Sequence, residues 1–120
     1  MDLVKFFFTL QQTIKLYHWQ TSSYARHKSA DELYLKCIDL ADRFMETYQG
    51  KYGKLEQGSL KIEAKSFGDN SITDFLDMSK EYLKNIEKET KVKSTDTDLL
   101  NIRDELLGEI NKTLYLFTFK

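Results

Sequence analysis

The chain has no proline, only five glycines and a single cysteine in 120 residues, and each shortage excludes something. Sheet architectures draw on glycine and proline for their turns. Their scarcity, beside abundant Leu, Lys, Glu, Asp and Ile, favours an all-α protein. The lone Cys37 excludes an internal disulfide and fits a reducing compartment, so a cytoplasmic location is expected. A formal net charge of −1 supplies no basic field, and no apolar run approaches the length of a bilayer span. Neither nucleic acid nor membrane is therefore expected as a partner. The apolar start, Met1 to Leu10, is interrupted by Asp2 and Lys5 and has no small-residue cleavage site after it, so it reads as a first helix and not a signal peptide. No Gly-rich phosphate loop is present, and no Ser or Cys is paired with a base. Histidine is scarce too: there are two, His18 and His27.

What is present is helical periodicity, in one domain covering residues 1–120. Residues 3–19 place Leu3, Phe6, Phe7, Leu10, Ile14 and Tyr17 on one face. The polar break Gln20-Thr21-Ser22-Ser23 offers a hydroxyl N-cap to a second helix, residues 24–49, which ends near Gly50 and Gly53. A third helix, 71–91, opens at Ser71-Ile72-Thr73-Asp74, a capping box with Asp in place of Glu, and a fourth, 96–118, opens similarly at Thr95 to Asp98. Short links imply two antiparallel hairpins. The connection at 50–70 is far longer than usual between helices, yet long enough in extended form to run beside a helix of about 25 residues, roughly 37 Å. That pattern predicts a four-helix bundle with a long crossover, as in ferritin-like folds.

At about 100° per residue, the second helix divides into three faces. Ala30, Leu33, Cys37, Leu40, Ala41, Phe44 and Tyr48 form a core face, and Glu32, Lys36, Asp39 and Arg43 a solvent face. His27, Asp31, Asp42 and Glu46 share a third, with Leu35 and Ile38. Imidazole nitrogens with carboxylate oxygens form a ligand set suited to iron, zinc or manganese. Asp31 and Asp42 are eleven residues apart, roughly 16 Å along the axis, while metal–ligand bonds are about 2 Å. One ion cannot reach both pairs on one helix. A second copy packed antiparallel across a two-fold axis would bring His27 and Asp31 opposite the partner's Asp42 and Glu46, giving two equivalent sites per dimer. His18, one short turn away, would complete the first half.

The order His18-Trp19, His27-x3-Asp31, Asp42-x3-Glu46 resembles the ferroxidase signature of Dps-type mini-ferritins. That resemblance implies Fe(II) oxidation, preferentially by hydrogen peroxide, and storage of ferric mineral in a hollow dodecameric shell. It implies that His18, His27 and Asp31 form one half-site and Asp42 and Glu46 the other, across a two-fold interface of the second helix. Trp19, otherwise read as a packing anchor, would absorb stray oxidising equivalents. The interval between the two histidines is shorter than in that family, which requires a tighter first turn. The string YHWQTSSYARHK from Tyr17 to Lys28, with YQGKYG from Tyr48 to Gly53, also resembles an uncharacterised family of phages and large DNA viruses. It implies a viral source, with host cytoplasm or virion as the location.

Two functions follow as expectations. The first is a Dps-like ferroxidase that protects against iron-driven oxidation. The second is a non-enzymatic dimeric helical protein, a virion or assembly component, that uses the same stripe as a structural zinc clamp or polar interface. They differ in redox chemistry, because zinc has none.

Overall fold

Asp2 opens helix α1 (Leu3–Gln20), its carboxylate accepting the backbone N–H of Lys5 at 2.8 Å. Ser23 does the same for helix α2 (Tyr24–Tyr52), accepting from the N–H of Arg26 at 3.2 Å. Helix α2 continues past Gly50 and stops at Gly53, whose φ of 91° is a conformation that glycine adopts without strain. The computed structural model describes residues 1–120 and contains helices with no strand. The remaining helices are α3 (Ile72–Lys84), the single turn α4 (Ile86–Glu89) and α5 (Thr97–Leu116). No helix is long and apolar enough to cross a membrane.

The expected third helix, 71–91, is thus two pieces. At Asn85 the side-chain amide donates to the Glu81 carbonyl at 2.8 Å, while the backbone N–H is shared between Glu81 and Tyr82, each at 3.1 Å. An Asn side chain that competes for the helix's own carbonyls loosens the regular ladder. Ile86 is fully buried at the next position and anchors the chain after the break. The capping boxes do not form either. Ser71 already has helical dihedrals, so its hydroxyl turns back to Gly68. The Thr95–Asp98 box is displaced because α5 starts one residue later: Asp96, not Thr95, holds the cap position with its carboxylate engaged elsewhere, and Asp98 binds Lys51.

The core gathers the predicted apolar faces. Leu3, Phe6, Phe7, Leu10, Ile14 and Tyr17 of α1 meet Leu33, Leu40, Phe44 and Tyr48 of α2, with Leu76 and Leu83 of α3 and Leu99, Leu106 and Ile110 of α5. Specific pairs give the helix directions. Phe7 meets Phe44 edge-on at 5.6 Å while Lys15 reaches Asp31, so α1 and α2 are antiparallel. Phe6 stacks on Tyr82 at 3.9 Å while Tyr17 reaches Asp69, just ahead of α3. Lys51 binds Asp98 and Arg43 binds Glu105, so α5 runs against α2. The connection 53–71 accordingly leaves the end of α2 beside Asp96 and arrives at the α1–α2 turn, crossing the length of the molecule. A 29-residue α2 is about 43 Å long, and the longest dimension of the molecule is 43 Å.

Buried Asp96 staples the far end. Its carboxylate accepts the Tyr52 hydroxyl, the Lys93 N–H at 2.9 Å and the Lys51 ammonium at 3.1 Å. The Tyr52 bond first, with the Lys93 N–H, holds its pKa down to about 2. A depressed carboxyl stabilises the fold above its unfolded pKa, about 3.9, and that contribution fades as pH falls toward the folded value. Asp96→Asn is expected to melt several degrees below wild type at neutral pH. The gap should narrow between about pH 4 and pH 2, which thermal melts across that range would show. A gap independent of pH would place the effect in packing and not in the charge.

Candidate metal site

Both histidines lie at the end of the α1–α2 hairpin. The three-residue turn Thr21–Ser23 brings the last turn of α1 against the first turn of α2. There the His18 and His27 rings stack, centroids 3.9 Å apart and 18° from parallel. Each ring bonds the other residue's backbone. His18 Nδ1 is 2.6 Å from the His27 carbonyl oxygen, and His27 Nδ1 is 2.8 Å from the His18 carbonyl oxygen. A carbonyl only accepts, so each Nδ1 carries a proton, and each Nε2 of the neutral ring keeps its lone pair. This is the hydrogen-bond pattern that fixes the tautomer and orientation of metal-ligating histidines. His18 is buried, and its Nε2 lies 3.8 Å from Asp31 Oδ1. The short turn does bring His18 to the pair.

Asp31 is half-buried, and its Oδ1 also accepts the Lys15 ammonium at 3.1 Å. That bond is the main cause holding the Asp31 carboxyl below its ordinary pKa. Lys15 itself lies 4.6 Å from the centre of the Tyr34 ring and 5.8 Å from that of Trp19. Lys15 was not singled out by the sequence. Its position three residues before His18, on the face that borders the second helix, was the available signal.

Asp42 and Glu46 are exposed, further along α2. Within one chain no group of three or more His, Cys, Asp or Glu side chains is placed to hold a metal ion. Between the two ends of the stripe lies an open groove of about 570 Å³ along the α1–α2 seam, lined by Val4, Phe8, Leu35, Ile38, Asp42 and Met45 among others. Phe8, Leu35 and Ile38 are 44%, 58% and 40% exposed on it. Trp19 is 69% exposed, so it does not anchor packing within the chain: its position on α1 turns it away from the buried stripe of Ile14 and Tyr17. Cys37 is fully buried, and burial pushes its thiol pKa well up, leaving a small apolar core residue.

A second network, silent in the sequence, sits behind the histidines. The Tyr17 hydroxyl donates to Asp69 Oδ1 at 2.6 Å, and the Thr21 hydroxyl donates to the same oxygen at 3.0 Å. Arg26 donates to the Tyr17 oxygen at 3.0 Å and to the Asp69 backbone carbonyl at 2.7 Å, and its guanidinium lies over Phe117. The Tyr17 bond lowers the Asp69 carboxyl pKa, while burial, with Asp69 second, raises that of the Tyr17 phenol. A buried Tyr needs a partner for its hydroxyl, but nothing in the aperiodic stretch before α3 marks Asp69 as that partner.

No curated protein and no solved structure matches the chain. A family of unknown function, DUF5856, matches residues 18–117, a span that contains His18, Trp19, His27, Asp31, Asp42 and Glu46. The chain belongs to this family of unknown function, DUF5856.

Proposed function

We propose that the protein is a Dps-like ferroxidase that binds and oxidises Fe(II) between two copies of itself. The observation that carries this reading is the reciprocal Nδ1–carbonyl bonding of His18 and His27, which leaves Nε2 of each neutral ring without a proton, that of His18 3.8 Å from Asp31 Oδ1. Neutral nitrogen and anionic oxygen donors suit ferrous iron, and carboxylates favour the ferric product by charge. Ferrous iron is the substrate. Two Fe(II) each give up one electron, and one hydrogen peroxide takes both electrons with two protons to yield two waters. In this reading His18, His27 and Asp31 of one chain, which do not close a three-ligand group by themselves, share the ion with Asp42 and Glu46 of a second copy. The helix directions, with an end-to-end connection between two hairpins, support a ferritin-like four-helix bundle. The apolar groove between the two halves of the stripe supports a two-fold seam.

One observation favours the non-enzymatic alternative. Lys15 already supplies Asp31 with a cationic partner, so the stripe can serve as a polar dimer interface without any metal. Anaerobic Fe(II) loading followed by hydrogen peroxide separates the readings. Wild type is expected to give fast, saturable ferric absorbance, and His27→Ala/Asp31→Ala to lose at least about 100-fold in rate, because removing ligands costs no less than removing the groups that orient them. Wild-type oxidation no faster than buffer would reject the ferroxidase and leave the clamp or interface.

A further inference from the structure

The residues immediately before the two histidines, Tyr17 and Arg26, both turn away from the metal side and toward one residue of the crossover. Asp69 Oδ1 receives the Tyr17 hydroxyl from the last turn of α1 and the Thr21 hydroxyl from the turn, and its backbone carbonyl receives Arg26 from the first turn of α2. Arg26 closes the ring by donating to the Tyr17 oxygen. Thr21 in addition accepts the Ser23 N–H at 3.2 Å, which sets the shape of the turn. A single residue at the end of the crossover therefore ties together all three pieces of backbone that carry the histidine pair. The ring stacking and both Nδ1–carbonyl bonds demand just that: a shift of about 1 Å between the ends of α1 and α2 would carry a 2.6 Å contact beyond hydrogen-bonding distance.

We infer that Asp69 is a positioning residue for the His18–His27 pair: through Tyr17, Thr21 and Arg26 it holds both imidazoles in the Nδ1–H form with Nε2 free for a transition-metal ion. The metal half of this inference rests on the function proposed above; the positioning half does not. The crossover is held nearby by further contacts, Ser66 to the Gln20 side chain at 2.6 Å and Phe67 against Phe75 at 5.2 Å. Loss of the Asp69 carboxylate therefore loosens the latch without releasing the whole connection.

The test compares full-length wild type, Asp69→Ala, Asp69→Asn and Tyr17→Phe by two readouts. The first is the ¹⁵N NMR tautomer pattern of the histidine side chains in metal-free protein. The second is titration with Co(II) alone, followed by its visible spectrum. Asp69→Ala is expected to turn the Nδ1–H pattern into a mixture and to weaken Co(II) binding by about 10- to 100-fold, with helical circular dichroism unchanged. Asp69→Asn keeps an acceptor oxygen for Tyr17 and Thr21 and should restore both readouts toward wild type, which a general loss of stability would not do. Should Asp69→Ala fail to fold, Tyr17→Phe, which removes one hydroxyl, is expected to shift the tautomers in the same direction. Unchanged tautomers in the folded variants would overturn the inference. A tautomer shift in a wild-type background that takes up no Co(II) would uphold the positioning role and reject the metal reading instead.

Discussion

A chain carrying Asp42→Ala and Glu46→Ala, mixed with one carrying His27→Ala and Asp31→Ala, is expected to recover about a quarter of the wild-type Fe(II) oxidation rate, although neither variant oxidises iron alone. Asp31 and Asp42 lie roughly 16 Å apart along α2, and one chain assembles no metal-binding group of three ligands. If the stripe is one functional unit, the missing ligands come from a second copy. At one end of the stripe the Asp31 carboxylate already has Lys15 as its partner, and at the other Asp42 and Glu46 are exposed, so an antiparallel copy would set the two ends against each other. The exposed Phe8, Leu35 and Ile38 between them would close on their symmetry mates. After random exchange about half the dimers are mixed, and each mixed dimer has one complete site and one with no ligands beyond His18. Recovery must therefore wait for subunit exchange and follow its rate. No recovery after proven exchange, or full activity in the Asp42/Glu46 variant alone, would exclude a shared site. A dimer crystal with the stripe open to solvent would do the same.

How far the sequence carried this reading varied with the range of the interactions involved. The core faces of α1 and α2 were legible because burial imposes a strict helical period, and Leu3 through Tyr17 and Ala30 through Tyr48 all fall where that period puts them. The Ser23 cap was legible for a similar reason, since it depends on residues three apart. Asn85 was not, because a break there follows from a competition between its own amide and the helix ladder that leaves no trace in the apolar pattern. The two expected capping boxes failed for different reasons: the Ser71 hydroxyl turns to Gly68, and α5 begins one residue later than a Thr95 cap requires, with Asp96 at the cap position and the Asp98 carboxylate bonded to Lys51. At the candidate site, the histidine and carboxylate types and their spacing along α2 were readable. The stacking of His18 on His27 depended on a turn whose geometry spacing alone does not specify. Asp69 stands furthest from what the sequence could yield, since its partners Tyr17 and Arg26 are 52 and 43 residues away. Trp19 shows the reverse error: a large aromatic at a helix end suggests packing, yet its direction on the helix leaves it exposed.

The division of α2 into a core face and a face that carries His27, Asp31, Asp42 and Glu46 makes the remaining large prediction. Phe44 is fully buried, with its ring edge-on to Phe7 at 5.6 Å and 6.2 Å from Tyr48. Phe44→Ala deletes a ring from a close-packed seam between α1 and α2, a change that costs about 3–5 kcal/mol through lost burial and the cavity left behind. Domains of this kind are stable by only about 5–15 kcal/mol, so the variant would sit near the limit of folding. Asp42, two residues earlier and exposed, should change stability by no more than about 0.5 kcal/mol on substitution with Ala. Urea unfolding of both variants decides the matter, with a large drop in midpoint at unchanged slope expected for Phe44→Ala and almost none for Asp42→Ala. Should Asp42→Ala prove as damaging as Phe44→Ala, the carboxylate would be holding the chain together, and its assignment to an intersubunit site would fall. If instead the two effects separate, stability resides on one face of α2 and the ligands on another. Loss of iron oxidation in Asp42→Ala could then not be ascribed to unfolding, which is the condition that the mixing experiment requires.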